Sequence, residues 1–179
     1  MSLFWVQGFE ATTMSHLLQA TGLAKGSLYQ AFGDKEQLFL KALRRYLERG
    51  RQDLRNCLSR ADSGYEGLRS WLLENARPTL AQGVRTGCMA VNSAVELAPH
   101  NAEVRKILRD HERSMEKLYE ECIARGIADR SLASTVDPRS GARWMSTTTY
   151  GLQVRAKLGM SHDHGRETVE KALCSIAAA

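Results

Sequence analysis

The sequence predicts an all-α protein, and three observations predict it. Apolar residues recur three and four apart in one segment after another, and capping residues or glycines separate those segments. No run alternates apolar and polar residues over a useful strand length, and there is no internal repeat.

The most informative stretch is residues 12–38, TTMSHLLQATGLAKGSLYQAFGDKEQL. In its first helical pattern Met14, Leu17 and Leu18 share a face, and Thr12 or Thr13 supplies a hydroxyl N-cap. Gly22 suits the left-handed position that lets the chain leave one helix and enter another steeply. Leu28 and Phe32, four apart, then anchor a second helix that leaves Lys25, Ser27, Tyr29 and Gln30 pointing away. Asp34, with Gln37 three residues on, opens a third helix whose stripe is Leu38, Ala42 and Leu43. The layout is that of a helix-turn-helix with a short, polar-faced second helix.

Beyond this stretch the third helix is expected to run through Tyr46 and Leu47 to about Leu58, across Gly50. Residues 61–64 form the clearest break. Leu68, Trp71, Leu72 and Ala76 mark the next helix, which Pro78 ends or kinks. Gly83 and Gly87 bracket a turn, and residues 88–97 read as a short, nearly all-apolar helix buried centrally. Asn101 caps a long helix with the stripe Val104, Leu108, His111, Met115, Leu118 and Cys122, which Gly126 is expected to stop. Asp137-Pro138 is an N-cap and first-position pair for another long helix, with Ala142, Met145, Thr149, Leu152 and Ala156 on one face. Asp163 is expected to cap a last helix carrying Val169, Leu173 and Ile176.

A chain of 179 residues, 43% hydrophobic, can fill one medium core or a small core joined to a larger one. No apolar run approaches the roughly 18 residues of a membrane span, and Met1 to Gly8 carries no secretory pattern. The four cysteines, Cys57, Cys88, Cys122 and Cys174, are far apart and fit a reducing, cytoplasmic setting. Of the net charge of +5, most lies early: nine Lys or Arg face five Asp or Glu through Arg60, and sixteen face fifteen afterwards. The excess positive charge therefore sits with the helix-turn-helix, where a polyanion would need it.

Gly8-Phe9, Thr12-Thr13, LAKGSLYQAF and DKEQLF resemble the DNA-binding end of the TetR-type (tetracycline-repressor-like) bacterial regulators over residues 3–46. GCMAVNSAVEL, residues 87–97, resembles the effector domain of one branch of that family. Ala31 departs from the His or Tyr usual there. Members also carry a first helix ending in Leu-Phe-x-x-x-Gly, of which Leu3-Phe4…Gly8 is only the last turn. Leu38, Ala42 and Leu43 are then expected to lack part of their cover, at roughly 25 cal/mol per Å² of exposed apolar surface, which weakens the head.

The resemblance implies a DNA-binding head over residues 1–46 and an effector-binding and dimerisation domain over residues 47–179. The partners implied are a near-palindromic double-stranded operator, a second copy of the chain and a small-molecule effector. Phosphate and base contacts are expected from Thr13, Lys25, Ser27, Tyr29 and Gln30, with Gly26 allowing close backbone approach and Lys35 clamping the DNA backbone. Gln30 is the best-placed base reader. Effector contacts are expected among Trp71, Met89, Asn92, Glu96, His111, Met115, Trp144 and Met145, although Asn92 and Glu96 equally suit protein partners. The resemblance pairs the last two long helices with their copies, and Gly141, Ala142, Ser146 and Gly151 would permit close approach.

No cofactor or metal is expected: His162-Asp163-His164 reads as a helix-capping turn. Cys88 with a distant His is the only conceivable nucleophile pair, so the chain is not expected to be an enzyme. The alternative to a repressor released by an effector is a dimeric helical ligand-binding or interaction module whose shortened head leaves DNA alone.

Overall fold

The computed structural model describes residues 1–81 and 83–178. Among these the order is α1 (Ser2–Gln7), α2 (Met14–Thr21), α3 (Lys25–Phe32), α4 (Lys35–Arg60), α5 (Gly64–Asn75), β1 (Leu80–Ala81), β2 (Val84–Arg85), α6 (Met89–Glu96), α7 (Ala102–Ala128), α8 (Pro138–Lys157) and α9 (His162–Cys174). Among the described residues the fold is all-α apart from the antiparallel two-residue pair β1–β2, which turns at Gly83, and an isolated bridge between Leu132 and Ala177.

Side-chain caps start most helices where the sequence placed them. Thr13, Asp34, Asn101 and Asp137 each accept backbone N–H bonds at the heads of α2, α4, α7 and α8, and Pro138 opens α8. Each such cap stabilises its helix by about 1 kcal/mol. Ser63 does the same for α5. At α9 the cap is Ser161, which accepts from His164 N, not Asp163. The cap must precede the helix, and Asp163 already lies inside the first turn.

Two apolar clusters divide the molecule, and α4 belongs to both. Phe39, Leu40, Leu43 and Leu47 of α4 pack with Phe4, Leu17 and Leu28, and also with Met89, Ala90, Leu97 and Val104 from later in the chain. Leu54 and Leu58, farther along α4, pack with Leu68, Leu72, Tyr119, Ile123, Met145 and Leu173. The residue 46 boundary falls inside this continuous helix.

Three sequence expectations change here. The stripe on α4 is not left bare: Ala42 and Leu43 are buried, and Phe4 and Phe9 meet Phe39 edge-on at centroid distances of 5.3 and 5.1 Å. Short α1 and the loop after it supply aromatic bulk where more helix was expected. Second, α6 buries one face only, with Met89, Ala90 and Ser93 inside and Val95 76% exposed. Third, Gly126 does not stop α7, which continues to Ala128. Its role is close approach: a Cβ on Gly64 would collide with the Gly126 backbone and lie 2.8 Å from Cys122 O. Crossing at two glycines brings the start of α5 onto α7, where Gly64 N also donates to Asp129 Oδ2 at 2.9 Å.

Gly64→Ala should therefore destabilise the fold by about 1–3 kcal/mol through overpacking against backbone that cannot rotate away. Gly50→Ala, with open space where its Cβ would lie, should stabilise by about 0.5–1 kcal/mol through helix propensity. Chemical denaturation of the two variants measures both signs.

Candidate nucleic-acid interface and inner cavity

The helix-turn-helix is built as the sequence patterned it. Thr13 Oγ1 accepts from His16 N at 3.2 Å, and His16 Nδ1 accepts from Thr13 N at 3.3 Å, closing a reciprocal cap. Thr12 is buried and donates to Gly8 O at 2.6 Å. Gly22 sits at φ 66, in the left-handed region, and turns the chain into α3. Leu17 and Leu28 anchor the two helices inward, with Phe32 half-buried beside them.

Lys25, Gly26, Ser27, Tyr29 and Gln30 along α3 are all exposed, as is Thr13 at the head of α2. Tyr29 keeps 42% of its surface in solvent. Ala24 precedes α3 and cannot cap it, so the first N–H groups of this helix meet no side-chain acceptor. A helix start of this kind attracts anions, through unpaired donors and the helix dipole together. No atom lies within 4 Å of a Cβ built on Gly26, so a backbone can approach there.

Lys35 is placed differently from expectation. Its Nζ donates to Phe9 O at 3.1 Å and lies 4.1 Å from the centre of the Phe9 ring. One hydrogen of this half-buried ammonium is thus engaged within the head, tying the start of α4 to the loop before α2. That loop is also held by Glu96 of α6, whose carboxylate accepts from Phe9 N at 3.1 Å and Glu10 N at 2.9 Å. Gly8, at φ 83, leaves the room: a Cβ there would lie 2.9 Å from either Glu96 oxygen. Trp5 Nε1 adds a donation to Gly87 O at 2.9 Å.

A cavity of about 550 Å³ opens between α4, α5, α7 and α8. Of the eight effector candidates, Trp71, His111 and Met115 line it and the other five do not. Met89 and Met145 are spent in the two cores. Glu96 holds the Phe9 loop, and Asn92 donates to Thr86 O at 3.0 Å while accepting from Lys157 Nζ at 2.9 Å. These are the protein partners the sequence left open. Trp144 points outward from α8, 39% exposed.

The cavity residues missed in the sequence are polar ones scattered over the same helices: Tyr119, Thr149, Tyr150, Asn75 and Gln153. Trp71 Nε1 donates to Tyr119 OH at 2.7 Å, Tyr119 OH lies 3.0 Å from Thr149 Oγ1, and Thr149 donates to Met145 O at 2.9 Å. A signal existed, since Tyr119 is one turn beyond Met115 and Thr149 is on the inner stripe of α8. Burial pushes the Tyr119 phenol up and the Tyr150 phenol up to about 12. It pushes His111 down to about 4, helped by Arg51 and opposed by Glu48, so the imidazole is neutral near pH 7. Cys88 is buried 3.6 Å from Tyr46 OH, its thiol likewise raised by burial. Among the described residues no three His, Cys, Asp or Glu side chains cluster to hold a metal ion, and no helix is long and apolar enough to cross a membrane.

Known proteins share this arrangement. Residues 1–42 match the family model described as bacterial regulatory proteins, tetR family, and residues 64–172 match the tetracyclin repressor-like C-terminal domain. The HTH-type transcriptional repressor ComR of Escherichia coli (strain K12) is 25% identical over 162 residues, covering 90% of this chain and 77% of that protein. The uncharacterized HTH-type transcriptional regulator YezE of Bacillus subtilis (strain 168) is 26% identical over 174 residues, covering 97% and 90%. A solved structure of a cysteine mutant of the TetR family transcriptional regulator CifR, complexed with 26-bp double-strand operator DNA, superposes with a TM-score of 0.84. It is 32% identical, and the match covers 98% of this chain and 91% of that one. With an exposed second helix in a helix-turn-helix, a helical body behind it and family matches over both, this chain belongs to the TetR family of DNA-binding transcriptional regulators.

Proposed function

We propose that this regulator is a homodimeric repressor which leaves its operator when a small molecule fills the inner cavity. The observation that carries the reading is α3: its polar side and uncapped start face solvent, while Leu28 and Phe32 fix it inward. In a duplex complex α3 would enter the major groove, with Gln30 at base edges and Thr13, Lys25, Ser27 and Tyr29 on phosphates. Gly26 would let the backbone close on the DNA. The reading head is residues 1–46 and the effector and dimerisation domain residues 47–179.

Pairing of two chains is supported by α8. Its outer side carries Trp144, Thr147, Gly151, Val154 and Leu158, all exposed and spaced three and four apart. That stripe differs from the expected small-residue one. Gly141, Ala142 and Ser146 are buried within the subunit, and a Cβ on Gly141 would lie 2.9 Å from Ile123 Cδ1. Only Gly151 of that set faces out. Two copies crossing at Gly151 would bury Trp144, Val154 and Leu158 and set two heads about 34 Å apart, one turn of a near-palindromic operator.

The cavity is suited to control the heads because its walls include Trp5 of α1 and Tyr46 and Leu47 of α4. An effector that favours a different setting of α4 must oppose DNA binding by the same factor that DNA opposes the effector.

Gel shift across a salt series tests the interface. Lys25→Ala should lower the slope of log affinity against log salt by about 0.9 for each phosphate that the variant no longer neutralises. Lys35→Ala should leave that slope unchanged while lowering the stability of the head by about 1–2 kcal/mol. Gln30→Ala should cost roughly 1–3 kcal/mol at one operator position and relax base preference there. Equal weakening at every site would remove Gln30 from base reading.

The cavity histidine predicts a pH dependence. His111 takes a proton more readily unfolded, near its ordinary value, than folded, where it titrates near 4. Well above pH 6.5 both states are neutral and it contributes no slope. As pH falls from 6.5 toward 4, the unfolded state binds the extra proton and stability is lost, up to roughly 3 kcal/mol. His111→Leu should flatten the denaturation free energy of the protein across that window relative to the parent chain.

A further inference from the structure

One peptide group stands between the head and the body of the molecule. The N–H of the Phe9–Glu10 peptide, carried by Glu10, donates to Glu96 Oε1 at 2.9 Å, and its carbonyl, carried by Phe9, accepts from Lys35 Nζ at 3.1 Å. A carboxylate therefore lies at the positive end of the peptide dipole and an ammonium at the negative end. Each charge-assisted bond polarises the group for the other. The N–H of Phe9, one peptide earlier, donates to Glu96 Oε2 at 3.1 Å, which engages both oxygens. Lys35 is the first residue of α4, just beyond the reading helix, and Glu96 is the last of α6, in the body.

The held loop is the one from which the helix-turn-helix hangs. Buried Thr12 closes it by donating to Gly8 O at 2.6 Å, and Thr13 caps α2 directly afterwards. Leu17 and Leu28 then fix α2 and α3 inward, so a displaced loop carries the polar side of α3 with it. Packing against Met89, Ala90 and Leu97 holds the head to the body, but apolar contact is non-directional. Hydrogen bonds to two successive N–H groups are directional, and they set an angle. The contact is partly open to solvent, so it acts on direction more than on stability.

We propose that Glu96 is a positioning residue for operator reading. By holding the Phe9–Glu10 peptide against Lys35 it fixes the setting of the head on the body, and so the half-site spacing that a pair of heads accepts. This rests on the reading of the protein as a homodimer on a near-palindromic operator. One base pair added between half-sites moves the second by about 3.4 Å along the duplex and turns it by about 35°. A head set at a fixed angle cannot follow that turn without losing contacts, whereas a loosened head can.

Gel shift of the full chain tests the inference. The probes are a duplex that the parent chain selects from a random-sequence pool, and copies with one base pair added or removed between the half-sites. The parent should bind the selected spacing at least about 10-fold tighter than either altered one. Glu96→Ala should bring that ratio below about 3-fold. Glu96→Gln, which keeps one acceptor oxygen and turns an N–H toward another N–H, should lower it as well. Lys35→Met, which keeps the apolar stem over Phe9, should also lower the ratio. Adding it to Glu96→Ala should change little further, because both act on one peptide. The ratio is internal to each variant, so a smaller folded fraction cancels from it. A ratio unchanged from the parent in both Glu96 variants, at whatever absolute affinity, overturns the inference. Loss of all binding in both, to the selected and to an unrelated duplex alike, does the same and leaves Glu96 a folding residue. A parent chain indifferent to spacing instead overturns the paired-head reading beneath it.

Discussion

The continuous run of α4 through both apolar clusters is the constraint on which the other features depend. Leu40, Leu43 and Leu47 seat its first half among the head helices, and Leu54 and Leu58 seat its second half in the body. At 26 residues it is about 39 Å long, an unbroken helix from Lys35 to Arg60. A helix held at both ends cannot shift in one cluster without disturbing the other. The cavity lies beside its middle, where Tyr46, Leu47, Gly50 and Asp53 form part of the wall. The cavity wall and the packing of the head helices therefore share the same rod.

Polar contacts outside the apolar clusters add a second tie between head and body. Glu96 satisfies two backbone donors of the loop between α1 and α2, Trp5 reaches Gly87, Arg44 pairs with Glu103 at 2.8 Å, and Asn101 donates to Glu36 at 2.7 Å. The Arg44–Glu103 pair is half exposed and contributes little by itself. The Glu96 contact is a carboxylate accepting from two N–H groups, a stronger kind of bond, and Gly8 is shaped around it.

Much of this was legible from local signals, and the parts that were share a cause. Caps at Thr13, Asp34, Asn101 and Asp137, the turn at Gly22 and the anchors Leu28 and Phe32 are fixed within a few residues by backbone hydrogen bonding and helical period. The exposed α3 residues were legible for the same reason, since fixing Leu28 inward leaves their side facing out. Lys35 was not, because its acceptor, Phe9 O, lies 26 positions away along the chain. The cavity was half legible: Trp71, His111 and Met115 sit on stripes that point inward, but an inward stripe alone does not separate a packed core from a hollow. Met145 and Met115 carry the same side chain on inner faces and are buried in the same cluster, yet only Met115 also lines the cavity.

By itself, then, the sequence determined the helical class, most helix starts, the helix-turn-helix and the face that α3 presents, because these follow from spacing and capping over one or two turns. The tertiary structure alone decided that Gly64 and Gly126 meet, that Glu96 holds the Phe9 loop, and that Trp144 faces outward from α8. It also decided that Gln153 is left with a lone buried acceptor. Each of these depends on which helices lie side by side, and that choice is made by the summed packing of the whole chain and not by any local stretch.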